Sequence, residues 1–179
     1  MNALTILPDT EVKVVRSSGV ALLDACGQSH KKPKIAIRQD NEPARLGSAV
    51  HEALANMVRG DKLQNFGELT MRYSIDVEEL TKLYNFGRKG WRDNIAQYFG
   101  NDYKVEGQLL HQITPNLRLV GTPDVFALLP EHNEIRILDW KSGWKTDINV
   151  RPQMLSYALY RLRNIQRLSL RLLASGLRV

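Results

Sequence analysis

An α/β or α+β domain built on one central sheet is what this sequence predicts, and three observations predict it. Two stretches with helical spacing of apolar residues come first, then three strand-like stretches divided by turn residues, then one more helical stretch. That order suits a single sheet with helices packed against it. The chain has 179 residues, enough for one domain around one core. We read 1–179 as a single domain, with 1–45 an N-terminal extension of short elements around the basic stretch "GQSHKKPK" and 46–165 the core that carries the site.

The first helix is placed from near Gly47. In "GSAVHEALANMVRG", Val50, Leu54, Met57 and Val58 recur at helical spacing, and Gly60 suits the helix end. The second helical region is "SIDVEELTKLYNFGRKGWRDNIAQYFG". There Asp76 and Glu79 stand three apart ahead of Leu80, Leu83, Trp91 and Ile95, the spacing of a capping arrangement, and Gly87 and Gly90 are points where it can break. "YKVEGQLLHQI", "LRLVGTPDVFALL" and "EIRILDWKSG" read as strands, separated by "TPN" and "PEHNE" as consecutive antiparallel strands would be. "RPQMLSYALYRLRN" reads as a helix with Pro152 in its first turn. "QRLSLRLLAS" is either a further strand or a continuation of that helix.

Composition narrows the function classes. Hydrophobic residues make up 43% and charged residues 25%, an ordinary globular mixture, and no apolar run approaches the ~20 residues that span a bilayer. The opening "MNALTILPDTEVKVV" lacks a basic leader followed by a long apolar stretch, so no secretion signal is expected. One cysteine, Cys26, has no internal disulfide partner, and a cytoplasmic location is expected. The net charge of +6, from 25 basic and 19 acidic residues, favours a polyanionic partner such as nucleic acid. No glycine-rich phosphate loop or dinucleotide fingerprint supports a small-molecule enzyme.

The charges that need explaining lie in the strands. Asp124 falls in register with Val120, Thr122, Phe126 and Leu128, and Asp139 and Lys141 continue the face that begins at Ile135 and Ile137. A lone Asp beside Pro123 is an ordinary strand-end residue, and an exposed Asp–Lys pair stabilises little. Two carboxylates on apolar faces of neighbouring strands are different, because they repel and resist ionising together. A divalent cation between them removes that penalty, and hard oxygen donors suit magnesium or manganese.

"GTPD" and "DWK", whose aspartates have fourteen residues (125–138) between them, resemble the signature of the PD-(D/E)XK nuclease superfamily. "LGSAVHEAL" resembles the histidine-bearing helix of its RecB-type, exonuclease-like branch, and "QMLSYALY" resembles that branch's Gln-x-x-x-Tyr helix. The features stand in the family's order over 46–160, about two thirds of the chain. The resemblance implies a restriction-endonuclease-like core, a central mixed sheet flanked by helices. It implies Mg2+ or Mn2+ bound by Asp124, Asp139, His51 and the main-chain carbonyl of Trp140, whose side chain must face away from Asp139. Lys141 would orient the attacking water or stabilise charge on the phosphate, and Gln153 and Tyr157 would line the cleft and position the lysine or the phosphate backbone. The substrate implied is DNA, single- or double-stranded, in repair, recombination or phage DNA metabolism.

Other residues have weaker claims. His51 borders the apolar stripe of its helix and without the resemblance would read as a satisfied core histidine. Gln153 and Tyr157, four apart, would read as amphipathic packing with Tyr157 half-buried. Arg88, Lys89, Arg92 and Lys145 are candidate phosphate contacts on charge alone, although scattered basic residues usually face solvent. Glu106 is a further acidic candidate, and Glu52 carries no assignment. Some RecB-type nucleases hold an iron–sulfur cluster with four cysteines. Only Cys26 stands near the first of those positions, so no cluster is expected. The competing reading is a catalytically silent nuclease-like module that binds nucleic acid or a protein; intact Asp124, Asp139 and Lys141 weigh against it. Self-association, a larger repair complex, and a stand-alone chain or a fragment all stay open.

Overall fold

The computed structural model describes residues 12–20, 41–61, 65–129, 131, 134–141, 151–159 and 169–176, the last stretch and Arg151 by backbone alone. Strand β1 (Lys13–Arg16) leads into a short 3-10 turn at Ser17–Gly19. Three helices follow: α1 (Glu42–Arg59), α2 (Phe66–Tyr73) and α3 (Val77–Gly90). Helix α1 begins five residues before Gly47. Asn41 caps it by accepting from the Ala44 N–H at 3.0 Å, with Pro in its first turn, a cap worth about 1 kcal/mol. Gly60 ends it at φ 78°, in the left-handed region that Gly enters freely. Asp76 caps α3 as its spacing predicted, accepting from the Glu79 N–H at 2.9 Å.

Gly87 does not interrupt α3, whereas Gly90 is its last residue. Gly87 lets α1 approach, since a Cβ there would lie 2.8 Å from Leu54 Cδ1. The chain continues beyond Gly90 as a π turn (Trp91–Ile95) and a 3-10 turn (Ala96–Tyr98).

The strands form two sheets where one was expected. β3 (Leu109–Thr114) pairs with β4 (Leu117–Gly121), which pairs in parallel with β1. The larger sheet has the order β2 (Tyr103–Val105), β5 (Val125–Leu129), β6 (Glu134–Lys141), β7 (Ser169–Gly176). Both sheets derive from one long bent hairpin. Val105 pairs with Val125 and Leu109 with Gly121, so the register is the same on both sides of the break. The break falls at 106–108 and 122–124 together. Glu106 takes φ 50° there and donates its N–H to the Asp124 carbonyl at 2.9 Å, while buried Pro123 has no N–H to extend a ladder. The stretches "YKVEGQLLHQI" and "LRLVGTPDVFALL" are therefore each two strands.

Helix α4 (Arg151–Leu159) connects β6 to β7, which lies parallel beside it. That settles the last segment as a strand, since adjacent parallel strands need a crossover of this kind. The two faces of the larger sheet are packed differently. Val125, Ala127, Leu138 and Trp140 join the core made with α1, α2 and α3, with Trp91 edge-on to Trp140 at 6.5 Å. Phe126, Ile135 and Ile137 pack with Met154 and Tyr157 of α4. No helix among the described residues is long and apolar enough to cross a membrane.

Candidate active site

β5 and β6 pair from Leu129 with Glu134 up to Val125 with Leu138. One step further in that register sets position 124 opposite 139. The two aspartates thus face each other where the ladder stops, and both are buried. Asp124 takes over the missing rung, its Oδ2 accepting from the Trp140 main-chain N–H. Its Oδ1 lies 2.9 Å from His51 Nδ1, so α1 reaches the strand end from one side of the sheet.

Helix α4 reaches it from the other side. Gln153 Nε2 donates to Asp139 Oδ1 at 3.3 Å and to the Tyr157 hydroxyl at 2.8 Å, and its Oε1 accepts from Lys141 Nζ at 3.2 Å. Those three contacts fix which way the amide points. The Tyr157 hydroxyl donates to the Thr122 carbonyl at 3.5 Å, tying α4 to the break in the hairpin. The Lys141 ammonium lies against Asp139 Oδ2. Trp140 turns its side chain into the helical core, opposite to Asp139, as strand alternation requires.

Electrostatics follow the burial. Desolvation, reinforced by the Asp124 charge, raises the Asp139 pKa above 3.8 even though Lys141 and His51 pull it down. Burial alone would lower the His51 pKa. The hydrogen bond to Asp124 and the charges of Asp124 and Asp139 outweigh it, and the value is raised above 6.5. The pocket of acid therefore attracts cations, and here it has drawn in the protein's own.

The donor chemistry fits a hard divalent ion: two opposed, buried carboxylates, Asp139 still raised by desolvation, beside a main-chain carbonyl. Among the described residues no three His, Cys, Asp or Glu side chains form a ready-made cage. The reason is visible. Lys141 and Gln153 engage Asp139, and His51 has Nδ1 on Asp124, leaving Nε2 as the ring nitrogen for an ion. A magnesium-type site keeps several waters and needs few protein ligands.

Sequence reasoning placed His51, Asp124, Asp139, Trp140, Lys141, Gln153 and Tyr157, and the structure brings these seven together. Tyr157 is buried rather than half-buried. Arg88 and Lys89 are exposed at the end of α3, and Arg92, in the π turn, is held by Asp93 at 2.7 Å; among the described residues no hydrogen bond or ion pair joins them to the site. Glu106 gives its carboxylate to Arg59 of α1, so its main chain rather than its side chain serves the site. Glu52 holds α2 through Arg72 and Tyr73. Lys145 and Cys26 lie outside the described residues.

Two residues went unread in the sequence. A Cβ at Gly121 would sit 2.5 Å from Tyr157 Cε1 and 2.8 Å from Ser17 Cβ. Ser17, buried after β1, thus helps fix the wall against which Tyr157 rests. A glycine ending a strand pattern signals such close approach; nothing local marks Ser17.

Two acids at a ladder's end, a lysine two residues on, and a glutamine that orients it define an acid–lysine hydrolytic site. The chain matches the family model of the PD-(D/E)XK nuclease superfamily over residues 20–174, and it belongs to that superfamily. It is accordingly a nuclease-type hydrolase, of a kind that typically uses divalent metal ions on nucleic acid. No curated protein matches it.

Proposed function

We propose that the protein is a deoxyribonuclease of the RecB-type, exonuclease-like branch, using Mg2+ or Mn2+ and acting from DNA ends in repair, recombination or phage DNA metabolism. The observation that carries this reading is His51 reaching Asp124 from α1 while Gln153 and Tyr157 reach Lys141 and Asp139 from α4. Asp124, Asp139, the Trp140 carbonyl and His51 Nε2 would hold the ion. When bound, it supplies Lewis acidity and lowers the pKa of a water.

The reaction is attack of water on phosphorus with departure of an alkoxide. Lys141 serves it as a charged donor, either to a non-bridging phosphate oxygen or to the attacking water. Gln153 keeps the lysine aimed by accepting one of its protons. Tyr157 in turn holds Gln153, and the Thr122 carbonyl holds Tyr157. His51 fixes the rotamer of Asp124. The net positive charge favours approach of a polyanion, and Arg88, Lys89, Arg92 and Lys145 are proposed as outer phosphate contacts.

A timed digest of end-labelled linear DNA beside a closed circle tests the direction of attack. With magnesium the linear DNA should shorten from its ends while the circle survives. Equal loss of both would make the enzyme an endonuclease, and survival of both would remove the nuclease reading.

A further inference from the structure

The face of β6 that carries Asp139 and Lys141 also carries Ile135 and Ile137, and beside these residues lies a groove of about 210 Å³. Lys104, Gln108, Phe126, Leu128, Ile137 and Tyr157 are among its walls. We propose that this groove takes one nucleobase of the DNA strand whose phosphate lies at Asp124 and Asp139, which makes it a subsite of the proposed nuclease and rests on that reading.

Three features favour a base. Phe126, Leu128, Ile137 and Tyr157 bring apolar and aromatic side chains to the lining, and the exposed Lys104 and Gln108 give it a polar part, as a base with its polar edge and a strand with its phosphates require. Size is the second feature: the volume lies below the ~300 Å³ at which small-molecule pockets begin, so one ring system fits and a base pair does not. The third is continuity with the site. Ile137 and Asp139 are one same-face step apart on β6, about 6.8 Å. Tyr157 is a wall of the groove while its hydroxyl is held by Gln153, which also binds Asp139. The hairpin break at 106–108 contributes Gln108 to this lining. Gly107 leaves room for the Phe126 ring, since a Cβ there would meet Phe126 Cε1 at 2.6 Å. A base in the groove is unpaired, so the strand at the site is single or frayed.

The experiment uses a labelled single-stranded oligonucleotide with one abasic position walked along it. Binding is measured by anisotropy in calcium and cleavage in magnesium. One abasic position should weaken binding to the wild type about tenfold, the scale of a stacked base. Leu128→Trp, which fills the groove, should bind the intact strand about tenfold more weakly and no longer register that abasic position. Should Leu128→Trp fold poorly, Lys104→Ala combined with Gln108→Ala removes the polar part of the lining and should lessen the penalty at that abasic position. No sensitive position, an unchanged penalty in the groove variant, or no binding of the strand would each overturn the subsite. Base-sensitive binding without cleavage would keep the subsite and remove the catalytic reading; cleavage without base sensitivity would do the reverse.

Discussion

Asp139→Asn is expected to melt at a higher temperature than the wild type in chelator at neutral pH, and to cleave no DNA. The carboxyl is buried, and its folded pKa is raised above 3.8 by desolvation first and by Asp124 second. A raised carboxyl binds its proton more tightly when folded than when unfolded. Below the unfolded value it therefore costs nothing, and as pH rises through 3.8 and then through the raised folded value the penalty appears and persists. Asparagine keeps the shape and can still meet Gln153, but it carries no charge to desolvate. Lys141, about one third exposed, loses a partner and regains water. For a chain of this size each 1 kcal/mol recovered moves the midpoint by about 2–4 °C. Adding Mn2+ should raise the wild-type midpoint and leave the variant unmoved. A variant less stable than the wild type in chelator would mean that the Lys141 pair more than compensates the burial.

Gly121→Ala has the second large effect, and it acts on both folding and chemistry. A methyl group in a strand would ordinarily help by about 0.5–1 kcal/mol through the unfolded chain. Here it meets the Tyr157 ring at 2.5 Å and Ser17 Cβ at 2.8 Å, neither of them the free end of a flexible side chain. Overpacking of this kind costs about 1–3 kcal/mol. Relief requires Tyr157 to move, and its hydroxyl then leaves Gln153 and the Thr122 carbonyl, so Lys141 loses its aim. The midpoint should fall and kcat should fall with it. Adding Ser17→Gly opens one side of the contact and should restore part of both. Full activity and stability in Gly121→Ala alone would show that the wall is not tight.

Much of the site was legible because its residues contradict their surroundings. Asp124 and Asp139 interrupt apolar faces, and Asp76 and Gly60 mark helix ends by local chemistry. The division into two sheets was not legible, because the alternation and the register both run through the break and only tertiary contacts bend the hairpin at 106–108 and 122–124. The start of α1 was missed because the apolar stripe begins after the cap: Asn41 and Pro43 carry the signal, and nothing before Leu46 is buried in that helix. Gly87 read as a breaker because a helical glycine looks the same whether it ends a helix or admits a neighbour. Ser17 is 104 residues from Gly121 and 140 from Tyr157, too far for any spacing rule to join them.

In the proposed mechanism Lys141, beside a metal held at Asp124 and Asp139, makes this chain cut DNA. Its most direct test is release of label from DNA by the wild type and by Lys141→Ala in magnesium or manganese, at metal concentrations where each protein shows its metal-induced rise in midpoint. Cleavage by the wild type that chelator stops is expected, with a loss of about 10²–10³-fold or more in kcat for a Lys141→Ala protein that folds and still takes the metal. Equal rates for the two proteins, or no cleavage by the wild type in either metal, would contradict it.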